Sequence, residues 1–391
     1  MAILGFISAL MIGYAVLLTA LWYIQIRRLR VKRAALDKAL AEALDPQQDT
    51  AAKHTAQQST ANHTRLKEAP FKQQQVAALS AGSNAHELTN TMLESADAAQ
   101  KLHRTFQKFV PRQFVEHFAK SSADDLSLGY ADEDEVAIMF CDIRGFTGLS
   151  EQMSPQQLMN FLNAYFLRMN APIHDNHGFI DKFIGDAIMA LFDHPTGWAP
   201  DKASDSIKAA LDIQKALRLY NHHRAKSGYP SVKNGTGLHI GPVIIGTVGS
   251  DDRMDTTVIG DTVNIAQRIE SLTAHFGVEI LASKKLVDEA SQNMDFAHRY
   301  VDNVVLKGKS TSVELVEVYH HLSNDEIAAR DKTKDAITQG IKLRNALKFT
   351  EALSVFNKAF AQTPDDPILK HHVHTCNKLM YDSEWDKQIR L

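Results

Sequence analysis

Apolar and polar positions divide the chain into stretches of different period. Residues 2–24 (AILGFISALMIGYAVLLTALWYI) carry no charge, and a run of that length matches the roughly 20 apolar residues that cross a bilayer. From Glu87 to Phe118 apolar residues recur at helical spacing, with Leu88, Met92, Leu102, Phe106, Phe109 and Val110 before Pro111 and Phe114, Val115 and Phe118 after it. This predicts a kinked helical coupler. From Val136 the period changes. VAIMFC reads as a strand, and SPQQLMNFLNAYFLRM reads as a helix opened by Ser154 and Pro155, with Leu158, Phe161, Leu162, Tyr165, Phe166 and Met169 on one face. Further strands are expected near residues 178–183, 187–192, 235–248 and 278–282, a helix over about 201–226, and a last strand, VELVEVY, ending near Tyr319. Strands alternating with amphipathic helices predict an α/β (α+β) domain. Beyond Ser323 only helical patterns remain: AITQGIKLRNALKF, TEALSVFNKAFAQ and a stretch after Pro364 and Pro367.

These changes set the organisation: a transmembrane helix at 1–26, a basic juxtamembrane segment and polar linker at 27–83, the coupler at 84–128, the α/β domain at 129–321 and a helical extension at 322–391. No basic residue precedes the apolar run, whereas Arg27, Arg28, Arg30, Lys32 and Arg33 follow it. The positive-inside rule then places the α/β domain in the cytoplasm of a single-pass inner (plasma) membrane protein. A cleaved signal peptide is the competing reading, disfavoured by the long apolar run and the missing basic n-region. In the extension, Ile337, Gly340, Phe349, Ala352, Phe356, Ala359 and Pro364 resemble one tetratricopeptide-type helix pair with a capping helix. It is expected either to pack on the α/β domain or to offer a surface to a protein partner.

Composition narrows the classes. The 391 residues are 44% hydrophobic and 23% charged with a formal net charge of −3, an ordinary globular balance without the basic excess that marks a nucleic-acid binder. Two distant cysteines, Cys141 and Cys376, exclude a disulfide framework.

The chemistry sits in the α/β segment. Asp142 closes the VAIMFC strand, and Asp186 lies in a Gly-Asp turn between the apolar runs of FIDKFIGDAIMALF. Two such carboxylates, brought together, suit divalent ions held through oxygen; each alone reads more often as a turn or cap residue. Ile143, Arg144, Gly145, Phe146 and Thr147 form a turn leading toward a helix, with N–H groups and a hydroxyl to offer an anion. Asn264 and Arg268 are four apart on an expected helix, hence on one face. That spacing also fits a solvated face.

Taken together, FCDIRGFTGLSE, DKFIGDAIMALF, GLHIGPVIIGTVG and TTVIGDTVNIAQRIES resemble the class III adenylate/guanylate cyclase catalytic domain, over roughly residues 130–320. The resemblance implies a ferredoxin-like core, pairing of two domains head to tail as a homodimer, and active sites shared across the interface. On one copy Asp142, Ile143 and Asp186 would hold two Mg²⁺ or Mn²⁺ ions and Ile143–Thr147 would cradle the phosphates of ATP. On the other, Lys182 and Thr257 would read the base, Asn264 would orient the ribose and Arg268 would stabilise charge on the α-phosphate; Lys307, in VVLKGKS, resembles the triphosphate-binding lysine. Adenine N1 accepts from an ammonium whereas guanine N1–H opposes it, so Lys182 favours ATP and an adenylate cyclase. Thr257 stands where many such enzymes carry Asp, which matches a Lys/Thr subgroup. Competing readings are a guanylate cyclase and a catalytically silent nucleotide sensor or scaffold. His239 and Cys141 are expected to be packing residues, and His371, His372 and His374 a solvated helix surface.

Overall fold

The computed structural model describes residues 131–193, 197–250, 253–306 and 312–381, with helical backbone also at 97, 98, 100 and 101. The apolar run at 2–24, the linker, the rest of the coupler and Lys307 lie outside the described residues. Among the described helices none is long and apolar enough to cross a membrane.

The chain order is β1 (Ala131–Ile143), α1 (Phe146–Ser150), α2 (Pro155–Asp175), β2 (Phe179–Ile184), β3 (Ala187–Phe192), α3 (Ala199–Lys226), β4 (Asn234–Ser250), β5 (Arg253–Ile259), α4 (Asp261–Phe276), β6 (Ile280–Ser283), α5 (Lys284–Ala290), β7 (His298–Val305) and β8 (Ser312–Val318). Four helices follow: α6 (Asn324–Asp331), α7 (Lys334–Asn345), α8 (Phe349–Phe360) and α9 (Pro367–Tyr381). The strands form one sheet in the order β2-β3-β1-β4-β6-β8-β7, with β5 paired to β4. Every pairing is antiparallel except β4 with β6. The block β1-α2-β2-β3-α3-β4, with spatial order β2-β3-β1-β4, is a split βαββαβ unit of the ferredoxin-like kind.

VAIMFC is apolar at every position because both faces of β1 are covered. Ala137, Met139 and Cys141 face a core with Tyr165, Met169 and Ile173 of α2 and Ile207 and Leu211 of α3. Val136, Ile138 and Phe140 face the other side with Val243, Ile245 and Ala266. Ser154 starts α2 as expected, its side chain accepting from the Gln157 N–H while the Gln157 side chain accepts from the Ser154 N–H.

The expected strands are all present. Two more, β5 and β7, carry no apolar alternation that would announce them: β5 is RMDTTVI, and β7 buries Arg299 and Asp302.

The extension is packed on the α/β domain. Ile269, Leu272 and Phe276 of α4 and Val301, Val304 and Leu315 of the distal strands share one core with Ile337, Ile341, Phe356, Ile368 and Leu369. Two buried ion-pair groups fasten it. Arg299, 2% exposed, donates Nε to Glu317 at 2.6 Å, Nη1 to Thr333 at 2.6 Å and Nη2 to Asp366 at 2.9 Å. Arg344 reaches Asp302, donating Nη1 at 2.9 Å. One expectation is corrected here: of the three histidines on α9 only His374 is exposed. His372 is fully buried, its ring stacked on Phe356 at 4.9 Å and its Nε2 2.9 Å from the Val301 carbonyl, while His371 packs against Phe276 and His275. The helix turns that face onto α4 and β7, which helical spacing within α9 alone does not reveal.

Candidate functional site

Asp142 is the penultimate residue of β1, opposite Gly235 of β4. Asp186 occupies the two-residue β2–β3 connection, where Gly185 adopts φ +65°. That left-handed backbone suits a tight hairpin and is open to glycine without strain. The hairpin pairs β3 beside β1 and brings Asp186 against Asp142, so the two carboxyls, 44 positions apart, interact directly. Burial and the Asp142 carboxyl push Asp186 up to about 7. A like-charged pair that holds a proton near neutrality is short of positive charge, and its donors are hard oxygens, so the residues fit a divalent cation.

The turn after Asp142 splits by role. The Ile143 N–H donates to Asp142 Oδ1 at 3.0 Å. Arg144 is engaged within its own domain: its N–H donates to the Lys233 carbonyl at 2.8 Å and its Nη2 to the Val278 carbonyl at 2.6 Å. Gly145 then precedes α1 in a left-handed conformation with no side-chain cap, and the first N–H groups of a helix have no intrahelical acceptor. Phe146 and Thr147 open that helix, so their N–H groups and the exposed Thr147 hydroxyl are the ones left to face an anion.

On α4, Asn264 is exposed, and Arg268 is half-buried with a buried Nη1 that has no hydrogen-bond partner among the described residues. An unpaired guanidinium nitrogen of this kind stands ready for an anion. The helix is seated by Gly237 of β4: a Cβ there would lie 2.1 Å from the Glu270 backbone nitrogen and 2.7 Å from the Ala266 carbonyl. Lys182 and Thr257, on strands that are not neighbours in the sheet, are joined, with Lys182 Nζ donating to Thr257 Oγ1 at 2.9 Å.

Two residues that the sequence did not announce belong to this region. Glu270 of α4 is pushed up to about 7 by burial and by the nearby Asp142 charge, with Arg144 opposing. It is a third carboxylate in the field of the pair, and helix spacing from Arg268 gives no sign of it. Asp181, beside Lys182, has a side chain only 1% exposed. The packing roles expected of His239 and Cys141 match their surroundings. His239 Nδ1 lies 2.7 Å from Ser283 Oγ, and burial holds its imidazole down at about 4. Burial pushes the Cys141 thiol up to about 11, which leaves it unreactive. Asp302, His371 and His372 could geometrically share a metal, but Arg344 already binds Asp302 and its Nη1 lies 3.3 Å from His372 Nδ1.

A ferredoxin-like sheet with paired acids at the end of β1, a lysine and threonine brought together on β2 and β5, and an amide and a guanidinium on α4 defines the class III nucleotidyl cyclase catalytic domain. Residues 129–320 match the adenylate and guanylate cyclase catalytic domain family and belong to it. The chain is 39% identical over 242 residues to an adenylate cyclase of Anabaena cylindrica, covering 60% of this chain and 47% of that one. It is 34% identical over 278 residues to the terminal-differentiation-specific adenylate cyclase of Dictyostelium discoideum, covering 71% and 13%. Among solved structures, a bacterial light-regulated adenylyl cyclase aligns with TM-score 0.50 and 25% identity over 63% of this chain and 67% of that one. The chain spans less than half the length of the curated relatives it matches.

Proposed function

We propose that this chain converts ATP to 3′,5′-cyclic AMP and pyrophosphate at sites shared by two copies of the domain. The observation that carries the reading is the Lys182–Thr257 pair. An ammonium aimed by a threonine hydroxyl donates to adenine N1 and meets guanine N1–H donor to donor, and the relatives named adenylate cyclase agree with that choice.

In this reading Asp142 and Asp186, with the Ile143 backbone, hold two divalent ions, Mg²⁺ or Mn²⁺. When bound, the ions acidify the ribose 3′-hydroxyl and neutralise the leaving pyrophosphate. The N–H groups of Phe146 and Thr147 hold phosphate oxygens. From the other copy, Lys182 and Thr257 orient the base, Asn264 fixes the ribose and Arg268 meets the charge that grows on the α-phosphate, so positioning and electrostatics supply the rate. Lys307 adds a triphosphate contact.

Homodimer formation is supported by the apolar side chains that one copy leaves exposed on β2, β4 and β5: Phe183, Ile184, Ile244, Val248, Met254 and Ile259, each between 41% and 52% exposed. The uncharged run at 2–24 followed by five basic residues supports a single-pass inner-membrane anchor with a cytoplasmic catalytic domain. The pair α7–α8 with α9 is read as one tetratricopeptide-type unit serving as a buttress, since its apolar face is spent on α4 and β7.

The test is cyclic nucleotide formation by the purified chain from ATP and from GTP with Mg²⁺ or Mn²⁺. Wild type is expected to make cyclic AMP, Asp142→Ala and Arg268→Ala to be inactive alone, and their mixture to regain part of the activity through heterodimers with one intact site. A folded dimer that cyclises neither nucleotide would refute the reading.

A further inference from the structure

Side chains of adjacent residues in a regular strand point to opposite faces. On β2 the pairing with β3 shifts register between Ile180, opposite Ala190, and Lys182, opposite Met189, so Asp181 is an extra residue. Such a shift re-aims the side chains around it. Here it brings Asp181 Oδ2 to 3.5 Å from Lys182 Nζ.

The Asp181 side chain is 1% exposed, and neither oxygen has a hydrogen bond among the described residues. A buried carboxylate in that state is costly and requires a reason. Packing supplies none, because an apolar residue of the same size would fill the space without the desolvation. The adjacent charges supply one. Lys182 is half-buried, and burial disfavours an ammonium unless an opposite charge faces it. An ammonium has three protons. One goes to Thr257 Oγ1 at 2.9 Å, a second faces Asp181, and the third is left for the base. Burial pushes Asp181 up to about 6, with Lys182 pulling it down and Asp255 of β5 adding like charge, so the carboxyl is ionised at neutral pH.

We propose that Asp181 is the positioning residue that sets adenine selectivity, by holding the Lys182 ammonium in register with Thr257. The proposal rests on the adenylate cyclase reading above. Without Asp181 the ammonium keeps only the threonine contact and turns about it, so its third proton loses its aim at adenine N1 while the rest of the site is untouched.

The experiment measures initial rates of cyclisation by the full chain in membranes, with ATP as substrate and GTP as substrate or competitive inhibitor. Asp181→Asn is expected to raise KM for ATP about tenfold with a change in kcat below threefold, and to reduce the ATP-over-GTP preference by about tenfold, one misaimed hydrogen bond to a charged group. Asp181→Glu should recover part of the preference, and Asp181→Asn made in a Lys182→Met background should change it no further. If Asp181→Asn does not fold, Asp181→Leu is read in the same way, since an apolar replacement of a buried charge is tolerated. A preference kept within twofold, an equal loss for both nucleotides, or an undiminished effect without Lys182 overturns the proposal while leaving the cyclase reading in place. A wild type that cyclises neither nucleotide overturns both.

Discussion

Arg299→Met isolates what fastens the helical extension to the catalytic domain. The guanidinium is buried and holds two carboxylates and a hydroxyl. Removing it strands them unequally. Glu317 keeps Arg330, whose Nε donates at 3.0 Å. Asp366 keeps the Thr333 hydroxyl at 3.1 Å and the Ile368 N–H at 3.0 Å but loses its counter-charge. Breaking one side of a buried pair costs about 3–5 kcal/mol, and these remaining partners place the expected loss near the lower end. For a domain of this size that corresponds to a fall in Tm of roughly 6–12 °C. Urea unfolding followed by circular dichroism gives the free energy, and limited proteolysis reports whether residues 322–391 are released first. Replacing both partners, Arg299→Met with Asp366→Leu, should recover much of the loss, because the stranded charge is gone. A loss below about 1 kcal/mol for Arg299→Met, or a double variant as unstable as the sum of the singles, would refute the argument. Since His371 of α9 packs on His275 and Phe276 of α4, a loosened extension should also lower cyclase activity.

Three further predictions concern the site. In the metal-free protein Asp186 holds its proton up to about 7, so Mn²⁺ must displace it at lower pH; calorimetry should show the apparent affinity falling by up to about tenfold per unit from pH 7 to pH 5, and a pH-independent affinity would contradict the pairing. The sign for this group's contribution to stability is the same: a folded-state value raised above the unfolded 3.9 or so contributes stability fully present below about 4 and lost as pH rises through about 7, so the metal-free wild type, compared with Asp186→Asn to cancel the buried histidines that titrate with the opposite sign, should melt relatively higher at pH 5.5 than at pH 8, and Mn²⁺ should narrow the gap. Gly237→Ala places a methyl against the α4 backbone; overpacking of this kind costs about 1–3 kcal/mol and should lower kcat more than KM, because it displaces the helix that carries Arg268, as steady-state kinetics would show.

Much of the site was legible in the sequence, and the rest depended on distance along the chain. VAIMFC, the Gly-Asp turn and the Asn264–Arg268 spacing are local patterns: strand, hairpin and helix face follow from period and from what glycine permits. The individual roles of their residues came from the resemblance of the four motifs to a known family, not from these patterns. Local pattern also placed the helices of the extension.

What no local pattern contains is which side chains meet. The sheet order β2-β3-β1-β4 makes a carboxyl pair of Asp142 and Asp186 and thereby raises the proton affinity of Asp186. The register shift on β2 and the approach of β5 make a unit of Asp181, Lys182 and Thr257. Seating α4 on Gly237 adds Glu270 to the field of the pair. On the distal side, the polar residues of β7 looked unlike a strand because Arg299 and Asp302 are paired with Asp366 and Arg344, 67 and 42 positions away. His371 and His372 of α9 looked solvated because the surface that covers them belongs to other elements. Sequence determined most of the elements and their chemical groups; tertiary structure decided the electrostatics, because the energy of a buried charge is set by neighbours that only folding brings within a few ångströms.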